Sequence, residues 1–261
     1  MAACWSRRTF LACSAGAVAA LAGGAAAGTE LVSHGVLPGK AVLDRLDGAC
    51  SLPATRFTFP FGVAPTISGT FFSSKRDRLV DYSIGYPPHH QPGSELPLVV
   101  MACNPHPGDD PMGMLVDELI PLCQARGLGR PPRRIGAMGI SMGGYGALLL
   151  AEKHPTLVSA VAAISPAIWT SYAQARAANA GAYASPAAFA ANDAVTHAGS
   201  LTGVPVRVAT GYGDPFYPGA QALAAALPSG SVVDFGKGCH DGSFFAAQEP
   251  ASLRFLAANL A

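Results

Sequence analysis

Charged side chains are scarce in this sequence: they make up only 13% of its 261 residues and leave a formal net charge of +1. This near-balance gives no electrostatic reason to expect nucleic acid or an anionic membrane surface as a partner. The sequence also lacks the Cys-x-x-Cys and His-x-x-x-His spacings that hold zinc, and it predicts no metal and no cofactor. It contains no internal repeat and no sign of a second domain, so we expect one α/β domain of ordinary size.

The N-terminus has the pattern of an export signal. The paired arginines Arg7 and Arg8 precede an uncharged stretch from Thr9 to Ala27, which resembles the twin-arginine signal of bacteria. Ala25-Ala26-Ala27 offers a small-residue cleavage site, so we expect residues 1–27 to be a signal peptide and the protein to reach the periplasm, cell envelope or medium. The alternative is an uncut anchor, because 19 uncharged residues nearly span a bilayer. The membrane is an expected partner only in that case.

Behind the signal we distinguish an N-terminal extension, residues 28–65, from a single α/β domain, residues 66–261. Export permits disulfides, and four of the six cysteines follow the signal. The sequence leaves open whether they form bridges or remain buried thiols. These four are Cys50, Cys103, Cys123 and Cys239.

From about Thr66 onwards, strand and helix patterns alternate. Ile67–Phe72 and Leu79–Tyr86 flank a charged turn and predict a β-hairpin. The remaining predicted strands are Leu96–Cys103, Ile135–Ile140, Val158–Ile164, Val204–Thr210 and Ser231–Phe235, and the predicted helices are Met112–Ala125, Met142–Lys153, Tyr217–Leu227 and 244–259. Strands separated by helices pair in parallel through right-handed crossovers. The predicted fold is therefore α/β, with a mostly parallel sheet, helices on both faces and an N-terminal antiparallel hairpin.

The motif Gly139-Ile140-Ser141-Met142-Gly143 follows one predicted strand directly and opens one predicted helix. A serine at so sharp a turn has a strained backbone, and glycines on either side avoid side-chain collisions there. The turn pushes the hydroxyl of Ser141 out of the sheet, which indicates a nucleophile.

A serine hydroxyl needs a base to take its proton, and that base needs a carboxylate to orient it. In the strand–turn–helix arrangement the acid and then the histidine follow the serine along the chain, each after a strand. Asp214 follows the strand Val204–Thr210, and His240 follows the strand Ser231–Phe235. Both residues should therefore lie at the same edge of the sheet as Ser141.

Other carboxylates and histidines fit less well. Asp241 is adjacent to His240 in sequence and can hardly face its ring, while Asp193 is kept as an alternative acid. His89 and His90 lie in a proline-rich turn, and a C-terminal capping role explains His154.

An acyl-transfer site also needs at least two donors for the developing oxyanion. The backbone N–H of Met142, directly after the nucleophile, is the first candidate. The second should come from the loop after the strand Leu96–Cys103. Pro105 and Pro107 in that loop have no N–H, which favours the amide of His106.

With these residues the chain resembles the putative esterase family of the α/β-hydrolases, which includes esterase D-like carboxylesterases, feruloyl esterases and the mycobacterial mycolyltransferase antigens. The resemblance runs from about Gly69 to the C-terminus. Its motifs are Leu96-Pro97-Leu98-Val99-Val100, Gly139-Ile140-Ser141-Met142-Gly143-Gly144-Tyr145-Gly146, Ser165-Pro166-Ala167, Gly213-Asp214-Pro215-Phe216 and Cys239-His240-Asp241. The chain departs from the family at Asn104-Pro105, where relatives often have His-Gly.

The resemblance implies that Ser141 is the nucleophile, Asp214 the orienting acid and His240 the general base of an enzyme acting on small-molecule or lipid-like carboxylic esters. Residues 168–200 correspond to an insertion that commonly lies over the nucleophile, and Trp169 in it is the expected pocket residue. An acyltransferase of the mycolyltransferase type would use the same triad. A hydrolase-fold protein that only binds a ligand is the remaining alternative.

Overall fold

The computed structural model describes residues 48, 50–52, 66–90, 93–101 and 110–260. The chain divides into two units, residues 1–51 and 52–261, and every strand and helix named below belongs to the second. The predicted signal, residues 1–27, lies outside the described residues, as does almost all of the extension 28–65.

A five-stranded parallel sheet forms the centre of the second unit, in the order β3-β4-β5-β6-β7. Its strands are β3 (Val99–Met101), β4 (Ile135–Ile140), β5 (Val158–Ile164), β6 (Val206–Gly213) and β7 (Val232–Cys239). The order follows the sequence, since each strand pairs in parallel with the next one along the chain. All carboxyl ends therefore meet at one edge, where the predicted acid and base come directly after β6 and β7.

The antiparallel hairpin consists of β1 (Thr66–Ser73) and β2 (Arg78–Gly85), which pair along their whole length. Its charged turn is attached to the rest of the molecule through Glu118. That carboxylate accepts hydrogen bonds from the hydroxyls of Ser73 (2.5 Å) and Ser74 (2.7 Å) and from the Ser74 N–H (2.8 Å). Burial opposes the charged form, but these bonds outweigh it and lower the pKa of Glu118. The α/β fold with its hairpin is confirmed.

Helices cover both faces of the parallel sheet. They are α1 (Pro111–Gly113), α2 (Ile120–Ala125), α3 (Met142–Lys153), α4 (Tyr172–Ala178), α5 (Pro186–Ala190), α6 (Tyr217–Ala226) and α7 (Gly242–Ala258), with a 3₁₀ turn at Ala198–Leu201. Within the described ranges, none of these helices combines the length and the apolarity that a bilayer crossing requires.

One predicted helix, Met112–Ala125, is not a regular α-helix. A π-helical segment, Met114–Leu119, separates α1 from α2, and the N–H of Ile120 bonds to the carbonyl of Leu115. Pro121 has no N–H to offer the carbonyl one α-turn earlier, so the regular bond pattern cannot pass through this point. The helical spacing of the sequence was correct, but the helix type was wrong.

The core has two parts, one on each face of the sheet. Val161 and Ala163 of β5 belong to the larger part, which also contains the buried side of α3. Ala160 and Ala162 point to the other face, where they pack with Phe244 and Leu256 of α7. The alternation follows from the two-residue period of a strand, and the small alanines allow α7 to lie close to the sheet.

Candidate active site

Ser141 lies between the last residue of β4 and the first residue of α3, with φ 56° and ψ −122°. A positive φ is unfavourable for a non-glycine residue and persists only where the surroundings enforce it. Here the Ser141 N–H donates to the Ile164 carbonyl (2.9 Å), and the Ala167 N–H donates to the Ser141 carbonyl (3.0 Å). A Cβ at Gly139 would lie 2.1 Å from the carbonyl carbon of Gly143, so the turn can form only with glycine at that position.

The three side chains of the predicted triad meet in one hydrogen-bonded chain. Nε2 of His240 is 2.9 Å from the Ser141 hydroxyl, and Nδ1 of the same ring is 2.9 Å from an Asp214 carboxylate oxygen. Although Ser141 and His240 are 99 residues apart in sequence, no movement is needed to bring them into contact.

Asp214 comes directly after β6 and is almost fully buried, at 1% exposure. One carboxylate oxygen faces His240, and the other accepts a hydrogen bond from the Phe216 N–H (2.8 Å). β6 extends to Gly213, three residues beyond the predicted end at Thr210, and its register with β7 is irregular between Gly211 and Gly213. This irregular end aims the carboxylate at the imidazole.

His240 comes directly after β7, and its side chain is 25% exposed. The preceding Gly238 has φ 142°, and a Cβ there would lie 2.1 Å from the ring of Phe244, so glycine is required. The following residue, Asp241, caps α7 by accepting hydrogen bonds from the N–H groups of Ser243 (3.0 Å) and Phe244 (3.2 Å). The cap fixes the start of α7 two residues after His240.

Two phenylalanine rings pack edge-on against the imidazole of His240. The ring centroid of Phe216 is 5.2 Å from that of His240, and the centroid of Phe245 is 5.1 Å away. Trp169, the predicted pocket residue, contacts Phe216 at 4.8 Å. Neither phenylalanine was predicted as a site residue from the sequence, although Phe216 lies two residues after the predicted acid and Phe245 five after the predicted base.

Of the two predicted oxyanion donors, the structure describes Met142 but not His106. Met142 is the first residue of α3, so its N–H lies at the N-terminus of that helix, directly after the predicted nucleophile Ser141. His106 lies in the segment 102–109, outside the described residues. Its assignment as the second donor stays a prediction.

Two further aspartates, Asp193 and Asp234, are engaged elsewhere. Asp193, the alternative acid, accepts hydrogen bonds from the Val195 N–H (3.1 Å) and the Thr196 hydroxyl (2.6 Å) within its own turn. Asp234 forms an ion pair with the buried Arg207 (2.8 Å).

Cys239, directly before His240, and Cys50 are both disulfide-bonded. Cys123 is a buried free thiol, and its burial raises its pKa. Cys103 lies outside the described residues. The described cysteines thus include both disulfide-bonded residues and a buried free thiol, two possibilities that the sequence left open.

Residues 113–229 match the family described as Putative esterase. This match covers less than half of the chain. Together with the parallel sheet and the turn at Ser141, the solved structures below show that the chain has the α/β-hydrolase fold. No curated protein matches the sequence significantly.

Solved structures with the same fold include several hydrolases. The α/β-hydrolase is similar to a ferulic acid esterase at 14% identity and a TM-score of 0.58, covering 74% of this chain and 98% of that one. An S-formylglutathione hydrolase of Agrobacterium tumefaciens has 16% identity and a TM-score of 0.58, covering 76% and 96%. FphF, a fluorophosphonate-binding serine hydrolase of Staphylococcus aureus, has 13% identity and a TM-score of 0.55, covering 75% and 99%. At these identities the neighbours show a shared fold.

Proposed function

We propose that this α/β-hydrolase is a serine esterase that cleaves carboxylic esters of small-molecule or lipid-like substrates through an acyl-enzyme on Ser141. The observation that carries the proposal is the chain of 2.9 Å contacts from the Ser141 hydroxyl through His240 to Asp214. A buried carboxylate, an imidazole and a hydroxyl in this order form the arrangement that activates serine.

In the first half-reaction the Ser141 hydroxyl attacks the ester carbonyl while Nε2 of His240 takes its proton. Asp214 accepts the Nδ1–H hydrogen bond, which holds the tautomer with a free Nε2 and stabilises the imidazolium that forms. The Met142 N–H, with a second donor that we assign to His106, stabilises the negative oxygen of the tetrahedral intermediate. The intermediate collapses, the C–O bond to the alcohol breaks, and His240 returns its proton to the leaving alkoxide.

In the second half-reaction water replaces the alcohol. His240 takes a proton from the water as its oxygen bonds to the acyl carbon. The new intermediate then collapses: the C–O bond to Ser141 breaks, His240 returns the proton to the Ser141 oxygen, and a carboxylic acid leaves. An alcohol acceptor at this step would give acyl transfer on the same three residues, so product analysis with and without glycerol distinguishes the two outcomes.

The experiment compares hydrolysis of a short p-nitrophenyl ester by the wild type, Ser141→Ala and His240→Ala. Each substitution should reduce turnover about 10⁴-fold or more, because the residual rate comes only from binding and oxyanion stabilisation. A Ser141→Ala variant that keeps wild-type turnover would overturn the proposal.

We further propose that the protein is exported by a twin-arginine-type signal. The disulfide bonds at Cys50 and Cys239 support this, because such bonds persist in oxidising compartments. Replacing Arg7 and Arg8 together by lysine should leave the protein inside the cell, which fractionation and immunoblotting would detect. Undiminished export of that variant would contradict a twin-arginine route.

A further inference from the structure

The hydroxyls of one buried and one half-buried tyrosine, Tyr145 and Tyr183, join the nucleophile helix α3 to the insertion, residues 168–200. Tyr145 lies one turn after Ser141, and its N–H donates to the Ser141 carbonyl (3.0 Å). The Tyr145 side chain is directed away from the triad: its hydroxyl donates to the Asn192 carbonyl (2.5 Å) and accepts from the Tyr183 hydroxyl (2.9 Å). One residue therefore contacts the nucleophile through its backbone and the insertion through its side chain.

A second side chain of α3 also binds Asn192. Lys153, at the end of α3, donates to the Asn192 side-chain oxygen (2.5 Å), and the Asn192 amide donates in turn to the Ala188 carbonyl (2.8 Å). Two points of α3, eight residues apart, thus hold one residue of the insertion. Burial raises the pKa of Tyr145 and of Tyr183, which further favours the protonated hydroxyls that these hydrogen bonds require.

The insertion reaches the triad at its other end. Trp169, near its start, contacts Phe216, which contacts His240. Its interior is aromatic: the ring of Phe189 contacts Tyr183 (5.1 Å) and Tyr172 (6.3 Å). The insertion therefore forms an aromatic wall, anchored to the nucleophile helix at one end and to the neighbour of the catalytic imidazole at the other.

The hydrogen bonds of the triad itself use only Ser141, Asp214 and His240. A shift of the part of the insertion that α3 holds, around Tyr183 and Asn192, would therefore move the aromatic wall relative to the nucleophile helix and leave the hydrogen bonds of the triad intact. A short ester that does not reach the wall would be unaffected, whereas a longer acyl chain would lose contact area.

We propose that Tyr145 and Tyr183 are positioning residues that set the preference for acyl-chain length by holding the insertion at a fixed place beside the nucleophile. This inference rests on the proposed esterase function. It predicts a loss in KM on long-chain esters rather than a loss in kcat on all esters, because binding surface is lost while the reacting groups stay in place.

The test measures kcat and KM on p-nitrophenyl acetate and p-nitrophenyl octanoate for Tyr183→Phe, Tyr145→Phe and Tyr172→Phe. Tyr172→Phe is the matched control, because it also removes a hydroxyl from the aromatic wall. Among the residues that the structure describes, the Tyr172 hydroxyl has no hydrogen-bond partner. Tyr183→Phe is the milder variant, because the bond from Tyr145 to Asn192 survives it.

We expect Tyr183→Phe and Tyr145→Phe to raise KM on the octanoate by about fivefold to tenfold, the value of one hydrogen bond, with kcat on the acetate within about twofold of wild type. Tyr172→Phe should change neither constant. Unchanged octanoate KM in a folded Tyr183→Phe variant, or an equal loss of kcat on both esters, overturns the inference. If the wild-type protein hydrolyses neither ester, the proposed esterase function itself is wrong. If it hydrolyses both esters and the variants behave like wild type, only the positioning role is wrong.

Discussion

The ring of Phe216 packs edge-on against the imidazole of His240, with their centroids 5.2 Å apart, while the N–H of the same phenylalanine donates to Asp214. Phe216 therefore contacts two members of the triad by different means. Its backbone orients the acid, and its ring limits the orientations open to the base. Phe245 limits the imidazole from a second direction.

Phe216→Leu should lower kcat on a short ester by about tenfold, because the imidazole gains freedom while the backbone bond to Asp214 is retained. Phe216→Tyr should restore most of the loss by restoring the ring. Phe235→Leu is the control, since its ring contacts Tyr217 and lies outside the triad contacts. Steady-state kinetics normalised to folded protein would show this difference; equal kcat for Phe216→Leu and the control would refute the role of the ring.

The identity of the acid is tested by a pair of substitutions. Asp214→Asn should reduce kcat by about 10² to 10⁴-fold, because an amide stabilises the wrong tautomer and cannot balance the imidazolium. Asp193→Asn should stay within about twofold, because its carboxylate is engaged in a local turn. Should Asp193→Asn prove the more damaging change in ester hydrolysis, the acid assignment would be wrong.

Glu152 on α3 predicts a specific dependence of stability on pH. Its side chain is 8% exposed, and one carboxyl oxygen has no hydrogen-bond partner among the described residues. Burial is the main reason that its pKa is raised from 4.5 to about 8; Lys153 opposes the shift, and Asp193 adds to it.

A raised acid pKa means that the folded protein keeps a proton that the unfolded chain releases. The free energy of unfolding should therefore fall as the pH rises from about 5 to 8, and level off above that. Glu152→Gln should remove this decline and be more stable than wild type at pH 9, by up to about 4 kcal/mol. Urea unfolding of both proteins at pH 5 and pH 9 measures the difference, with Glu249→Gln on α7 as a control for the loss of one carboxylate. Parallel pH profiles for wild type and Glu152→Gln would contradict the assignment of a neutral buried carboxyl.

The sequence predicted β4, α3 and β5 residue for residue, because each is a strong apolar run bounded by clear turn signals. The predicted ends of β6 and β7, at Thr210 and Phe235, lie three and four residues before the observed ends. Four of the six residues in Gly211-Tyr212-Gly213 and Gly236-Lys237-Gly238 are glycines, which have little intrinsic strand preference, and the pairing of β6 with β7 keeps these segments extended. The order of Ser141, Asp214 and His240 could nevertheless be predicted, because it depends on strand order rather than on exact boundaries.

The bond between Tyr145 and Tyr183 could not be predicted from the sequence. The two residues are 38 positions apart, and nothing in the local pattern of either indicates a partner. The same holds for the ring of Phe245, whose contact with His240 depends on how Asp241 starts α7. Tertiary contacts of this kind follow from how the elements pack, which the local periodicity of the sequence does not reveal.

The most direct test of the central claim is to treat the folded protein with a fluorophosphonate and to locate the adduct by peptide mass spectrometry. Ser141 is held 2.9 Å from the base that should activate it, so the account predicts one adduct per chain, on the peptide containing Ser141, and a greatly slowed reaction in His240→Ala. A folded wild-type protein that remains unlabelled, or an adduct on another serine, would contradict it.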